Sequence, residues 1–407
     1  MHILYYHQHF STPDGATGTR SYEMARRLLL KNHNVTMICG SSEMANTGLT
    51  GLYIKNRREG IVDGIHVVEF HLPYSNKDGF IKRSITFLRF AAKSVFWALT
   101  HSYDLVFATS TPLTAGLPGI FAKVFRKKPF IFEVRDLWPE LPQKMGVIKN
   151  RWILLMLNIL EWLSYHSANS CIGLSPGIVQ GIHKRGIPMH HITMIPNGCD
   201  LRLTGECKTY HTLSDSKTAI FAGAHGIANG LDAVLDTAKV LKQKNRSDIR
   251  FLFVGDGKLK QSLIERAMKE GLDNCIFQNP IPKKQFIRQM KDADIGLMIL
   301  ANVPAFYYGT SPNKFFDYIA CGLPIINNYP GWIADLITSH QCGEAVEPDN
   351  PEAFADTIIA LLDQPDQLKA MGLKSRNLAE SVFDRDILAN QWITWIEQTY
   401  ENSKKNQ

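Results

Sequence analysis

The seven cysteines, at Cys39, Cys171, Cys199, Cys207, Cys275, Cys321 and Cys342, never fall at the paired C-x-x-C spacing that a zinc site or redox motif needs. Their scatter fits a reducing compartment. No low-complexity tract is present, and no motif for RNA or DNA binding has the right spacing, so nucleic acid is not an expected partner. The full G-x-G-x-x-G dinucleotide fingerprint is also missing. Val254-Gly255-Asp256-Gly257-Lys258 carries only part of it, in the wrong βα unit, which argues against an NAD-dependent dehydrogenase. The opening Met1-His2-Ile3-Leu4-Tyr5-Tyr6 reads as a buried strand rather than a charged start leading to a cleavage site. A cytoplasmic location is expected.

What is present describes an ordinary globular protein, 45% hydrophobic and 20% charged. At 407 residues the chain exceeds what one hydrophobic core usually serves, so two domains are expected. Charge divides unevenly. Residues 1–200 hold 22 Lys and Arg against 13 Asp and Glu, whereas the remainder holds 23 against 25. The basic half contains Ile81–Trp97, a helix-length stretch interleaving cations with large apolar side chains but too interrupted by charge to span a bilayer. Two readings stay open for 81–97: a core helix with a solvated basic face, or contact with an anionic membrane surface.

Short β-branched or aromatic runs alternate with amphipathic helix-length stretches, the pattern of parallel strands covered by helices. Val35–Cys39, Leu105–Ala108 and Pro129–Val134 are such runs in the first half. The cycle restarts at Thr218–Gly223 and continues through Arg250–Gly255, Ile295–Ile299 and Pro324–Ile326. The polar, aperiodic residues 201–216 are expected to link a domain of 1–200 to one of 217–386. A terminal helix over 387–407, with Leu388, Trp392, Trp395 and Ile396 on one face, is expected to dock back on the first domain.

In open parallel sheets ligands bind beyond the carboxyl ends of the strands, and the polar motifs fall at those ends. The loop Thr12–Arg20, with Gly18 and Thr19, leads into a helix and is either a phosphate cradle or a plain tight turn. At Arg135-Asp136, Arg135 could clamp an anion or sugar hydroxyl and Asp136 could accept from hydroxyls, or the two could form a turn-holding salt bridge. Asn197 flanks a turn glycine. In the second half Gly223, His225 and Asn229 join a strand to a helix, and Gly255, Gly257 and Lys258 repeat the device. Ser311-Pro312-Asn313 reads as a helix start and Gly322-Leu323-Pro324 as its stop, with Asp317 between them suited to hold a ribose diol. Asp292-Ala293-Asp294 and Asp384-Arg385-Asp386 read as helix-end positions rather than metal ligands.

Taken in order, these residues resemble the family 4 glycosyltransferases, retaining enzymes of the GT-B fold, over nearly the whole chain. Tyr6-His7-Gln8-His9-Phe10, Gly18–Ala25 and Arg135-Asp136-Leu137-Trp138-Pro139 are similar to the branch that includes bacterial O-antigen and capsule L-fucosamine transferases. The resemblance implies an α/β GT-B architecture, two Rossmann-like doubly wound domains facing a central cleft, the first binding acceptor and the second a nucleotide sugar. Arg135 and Asp136 are then the expected catalytic residues, with His7 and Arg20 on the acceptor side. Gly18, Thr19, Asn197, Gly223, His225, Asn229, Gly255, Gly257, Lys258, Ile281, Ser311, Asn313, Lys314 and Asp317 are expected around the donor.

The resemblance further implies a UDP-sugar donor, such as UDP-N-acetyl-L-fucosamine or that of another N-acetylated hexose. It implies a polyprenyl-diphosphate-linked glycan acceptor, no cofactor or metal, and a peripheral position on the inner face of a bacterial inner membrane. Asp317 matches the second acid of the family's E-x7-E motif, but Gly309 stands where the first belongs, so the chain departs from the full motif. A nucleotide-sugar epimerase or hydrolase, and a catalytically silent sugar-binding subunit, are the alternative functions.

Overall fold

The computed structural model describes residues 1–75, 78–110, 112–207 and 217–405. Contacts divide the chain into two units. The first holds Met1–Pro196, Gly309–Ser311 and the chain from Asp386 onward, and the second holds Asn197–Tyr308 and Pro312–Arg385. The boundary lies four residues before the one expected, because Asp200 is held by Lys283 and Arg385 of the second unit. Within the expected linker, Leu201–Thr204 form a short helix, and 208–216 lie outside the described residues.

The first unit is built on β1 (His2–Tyr6), β2 (Asn34–Gly40), β3 (Arg57–Val62), β4 (Ile65–Phe70), β5 (Leu105–Thr109), β6 (Phe130–Val134), β7 (Ser170–Gly173) and β8 (Ile192–Met194). They form one sheet in the order β3-β4-β2-β1-β5-β6-β7-β8, parallel except for the β3–β4 hairpin at its edge. Central strands buried on both faces must be largely apolar, and β1, β5 and β6 are, with their polar residues His2, Thr109 and Glu133 confined to or beside the strand ends.

Alternate residues of these strands serve opposite faces. Leu4, Tyr6, Val106, Ala108, Phe130 and Phe132 share a core with Phe90, Trp97 and Tyr165 of the helices Phe80–Thr100 and Arg151–Ser167. Tyr5 and Phe107 face the other way and receive Trp392 of the terminal helix Arg385–Lys405, with ring centroids 6.1 and 4.9 Å away. Thr399 and Ser170 hydroxyls, 2.9 Å apart, fix the same helix further along.

The second unit contains β9 (Lys217–Ala222), β10 (Ile249–Val254), β11 (Cys275–Gln278), β12 (Ile295–Met298), β13 (Ile325–Asn327) and β14 (Gly343–Ala345). Its order, β11-β10-β9-β12-β13-β14, is wholly parallel and doubly wound. Connections run outward in opposite directions from β9 and β12, so their helices part there and leave a crevice at the strand ends. Both sheets reverse at their first strand, and both place sequence motifs at that point.

Candidate functional site

In the first unit the carboxyl ends of β1 and β6 gather His7, Arg20, Arg135 and Asp136. Arg20 opens the helix Arg20–Leu30, directly after the loop carrying Gly18 and Thr19. It is not an acceptor-side group. Arg20 and Glu133 are both 0% exposed, with Nε and Nη2 donating to Glu133 Oε2 at 3.1 and 2.8 Å. The other donors reach the carbonyls of Ile195 and Pro196. Every face of the guanidinium is occupied, so Arg20 ties the strand ends together and carries the charge of a buried pair. Glu133 also accepts from the Thr109 hydroxyl at 3.0 Å.

Arg135 keeps its side chain partly exposed, its backbone N–H held by Ser110 Oγ at 2.9 Å and Nη1 lying 3.4 Å from His7 Nε2. Arg135 can only donate, so His7 offers it an unprotonated Nε2. Burial, then Arg135 and His9, drive the His7 pKa well below the usual histidine value, consistent with a neutral ring. Its Nδ1 and both amide atoms of the adjacent Gln8 are buried with no hydrogen-bond partner among the described residues. Burial raises the Asp136 carboxyl above its ordinary range against the opposing pull of Arg135. Neutral His7, the Gln8 amide and the Arg135 cation together offer donors and acceptors suited to hydroxyl and phosphate oxygens.

In the second unit the loops after β9 and β10 pack backbone against backbone. A Cβ on Gly255 would lie 1.9 Å from the Gly223 carbonyl oxygen, and one on Gly257 2.5 Å from that of His225. Glycine is required at both for contact rather than for flexibility alone. His225 N–H donates to Asp256 O at 3.0 Å and Leu259 N–H to His225 O at 2.9 Å, which locks the loops ahead of the helix Lys260–Glu270.

His225 itself does not serve as a phosphate-binding cation. Its ring is fully buried near Phe221, Phe253 and Phe277, and burial followed by Lys260 lowers its pKa to about 4. The cation at this place is Lys314. Its Nζ stands 4.0 Å from the Phe221 ring centroid and donates to Asn229 Oδ1 at 2.9 Å, and a Cβ on Gly223 would approach it to 3.7 Å. Burial pushes the Lys314 pKa down to about 7. Asn229 also donates to Ala224 O at 2.7 Å, so it orients the lysine.

Lys314 lies in the first turn of the helix Asn313–Cys321, which ends at Gly322 in the left-handed region (φ 73°) as the sequence predicts. Asp317 follows on the same helix and is paired with Lys283 Nζ at 2.8 Å. Lys283 also reaches Asp200 Oδ2 at 3.4 Å, whose other oxygen accepts from Arg385 Nε at 2.8 Å. Burial alone would lower the Lys283 pKa, but Asp317 and Asp200 outweigh it and leave it above the usual value.

The remaining expected positions are less engaged. Lys258 is exposed beyond the second glycine loop, Ile281 is partly buried before the helix Lys283–Asp292, and Asn313 opens the Asp317 helix. Ser311 groups with the first unit. Asn197 is 2% exposed in a turn whose neighbour Gly198 accepts from Arg385. Asp294 accepts from Thr218 N–H at 2.9 Å, a structural role for the first D-x-D match.

Lys283, Lys260 and Glu133 were not singled out by sequence. Lys260 Nζ binds the Gly255 and Gln278 carbonyls, each at 2.9 Å, and so braces the second glycine loop. Each of these residues acts through a partner distant in the chain or a backbone carbonyl, and neither leaves a spacing signal.

Residues 15–198 match the family described as "Glycosyl transferase 4-like domain", and residues 209–378 that of "Glycosyl transferases group 1". No curated protein matches the chain. Sucrose-phosphate synthase from Thermosynechococcus elongatus has a TM-score of 0.77 at 15% identity, over 98% of this chain and 99% of that one. The Anabaena protein HepE, solved with UDP and glucose, gives 0.70 at 16% identity over 97% and 99%. WaaG, a glycosyltransferase involved in lipopolysaccharide biosynthesis, gives 0.68 at 15% over 96% and 98%.

These likenesses show the GT-B fold, and the two family matches span both units. Each half of the chain thus matches a glycosyltransferase family model, and the protein is a glycosyltransferase of the GT4-like kind. No helix among the described residues is long and apolar enough to cross a membrane.

Proposed function

We propose that this glycosyltransferase moves a sugar from a UDP-sugar to a lipid-linked glycan acceptor in surface-polysaccharide synthesis, with retention of anomeric configuration and without a metal. The observation that carries the donor half is Lys314 at the end of β9, beside two interlocked glycine loops and one turn from Asp317. A diphosphate leaving group gathers negative charge as the sugar bond breaks, and a preorganised ammonium with loop N–H dipoles stabilises that charge. Asp317 can hold ribose hydroxyls with the oxygen that Lys283 does not engage. The UDP bound by HepE supports the choice of nucleotide.

Arg135 supplies a second cation and Asp136 a carboxyl of raised pKa on the first unit. No side chain is assigned as a covalent nucleophile: in the proposed front-face route the departing phosphate takes the acceptor proton as the new glycosidic bond forms. The acceptor half rests on the exposed apolar and basic helix Phe80–Thr100, which suits a substrate held at an anionic membrane surface.

The test is a mass-spectrometric assay of purified protein with a panel of UDP-sugars, including UDP-N-acetyl-L-fucosamine, and undecaprenyl-diphosphate-linked acceptors, with and without chelator. Acceptor-dependent mass gain that survives chelation, with the donor's anomeric configuration kept, supports the reading. An inverted product removes the front-face route. Nucleotide release or epimerisation without acceptor transfers the case to the epimerase or hydrolase.

A further inference from the structure

We infer that the cavity between the β3–β4 hairpin and the helix Phe80–Thr100 binds the headgroup of an anionic phospholipid. The inference rests on the membrane part of the proposed function and not on the donor chemistry. The cavity measures about 930 Å3 and lies within the first unit, and none of His7, Arg20, Arg135 and Asp136 lines it. Lys55, Arg57, Arg58 and Lys93 line it against a single acid, Glu59.

Three of those cations, Arg57, Arg58 and Lys93, lie over aromatic rings. The Arg57 guanidinium lies 5.0 Å from the Trp97 ring centroid and the Lys93 ammonium 5.4 Å from that of Phe70. Arg58 is pinned by Glu69 at 2.9 Å, and Arg57 meets Glu59 at 3.6 Å. With Glu59 and Glu69 set against four cations, Lys55 and Lys93 leave a net positive charge facing a concave, partly apolar wall, as a phosphodiester headgroup with its first acyl carbons would require.

The rim indicates that the ligand comes from a bilayer. Leu52 and Phe96 flank the cavity, 89% and 66% exposed. Phe96 continues along its helix into Ile81, Ile85 and Leu88, all exposed at helical spacing. The helix Leu117–Arg126 packs against this one and against Arg151–Ser167, which exposes Trp152 and Trp162. Of 29 exposed large hydrophobic residues among those described, 15 lie on these three helices. An apolar face of this size with cations at its border matches a membrane interface in both shape and charge. The cavity sits where that face meets the sheet edge.

The test is flotation of the full chain with vesicles of phosphatidylcholine alone or with equimolar phosphatidylglycerol. The wild type is expected on both vesicles and far more strongly on the anionic ones, and Arg57→Gln with Lys93→Gln should lower partitioning to the anionic vesicles about 30-fold, since each cation near an anionic surface contributes about a factor of five. Trp162→Ser should weaken binding to both vesicles, because it removes apolar contact away from the cavity. An unchanged partition for the double variant, with Trp162→Ser impaired, overturns the headgroup site while leaving the membrane face standing. Failure of the wild type to float overturns both, and leaves donor turnover to be judged by its own assay.

Should the double variant lose its native circular dichroism, competition on the wild type decides. Soluble dihexanoyl phosphatidylglycerol should displace it from anionic vesicles, and dihexanoyl phosphatidylcholine should not. Equal competition by both, or displacement by inorganic phosphate at matched ionic strength, overturns the inference.

Discussion

Lys283 bridges Asp317 and Asp200 with one ammonium group, 2.8 Å from the first and 3.4 Å from the second. The helix carrying Asp317 and the turn carrying Asp200 are thereby held through a lysine that is itself 9% exposed. Asp317 meets a fixed cation on one side, which holds the carboxylate in position for a hydroxyl partner on the other. Lys283→Met should leave the buried Asp200 and the partly buried Asp317 beside one arginine and cost about 3 kcal/mol of stability. UDP affinity should fall at temperatures where the variant stays folded, with Lys283→Arg recovering part of it. Calorimetry and a thermal melt would check both effects, and unchanged UDP affinity in folded Lys283→Met would remove Lys283 from the site.

Lys314 sets a pH dependence. With its pKa pushed down to about 7 by burial, the empty site is largely charged below that pH and largely neutral above it. A bound diphosphate favours the ammonium, so binding above about pH 7 must take up a proton. Affinity should then fall as pH rises, by up to about tenfold per unit, and level off below about pH 7 apart from the ligand's own titration. Lys314→Met should bind more weakly and lose the alkaline slope. Isothermal titration of UDP in buffers of different ionisation enthalpy would report the proton uptake.

Arg20 and Glu133 form a fully buried pair, so removing one partner leaves the other charge stranded. Arg20→Met should destabilise by about 3–5 kcal/mol, whereas Arg20→Met with Glu133→Leu should cost distinctly less. A denaturant titration of the three variants distinguishes a scaffold role from a ligand contact.

Gly255→Ala would place a methyl group 1.9 Å from the Gly223 carbonyl oxygen. The two loops must then separate, and both stability and UDP binding should fall, the former by about 1–3 kcal/mol. Gly309 offers a contrast, since a Cβ there meets nothing within 4 Å. Gly309→Glu, which restores the first acid of the family motif, should fold normally and change donor-sugar preference without changing UDP affinity. Melting curves and the donor panel would show whether it does.

Arg135→Ala should leave folding nearly unchanged, because the side chain is partly exposed and its only described hydrogen-bond contact is the long one to His7. Removing one charge-stabilising donor from an active site typically lowers kcat by about 100- to 1000-fold. Steady-state kinetics would separate that loss from a change in KM alone.

The strands were legible because a strand buried on both faces must be apolar along its length. Leu105–Ala108 and Pro324–Ile326 can be bounded within a residue or two from that signal. The stop at Gly322 was legible for a related reason, because a helix end in the left-handed region favours glycine. The glycine loops and Asp317 could be placed at strand ends, and the order of these motifs carried the family resemblance.

Tertiary structure alone decided what those polar residues face. Sequence could not distinguish Arg20, fully enclosed by Glu133 and two carbonyls, from Arg135, which stays accessible: each is an arginine beside a strand end. Nor could it show that His225 is buried among aromatic rings while Lys314, 89 positions later, supplies the cation at the same loop. Local propensity and periodicity act over a few residues, and they fixed the elements and their order. Charge pairing and desolvation depend on neighbours within a few ångströms in space, so the division of these polar residues into scaffold and site emerged only when the sheets brought distant segments together.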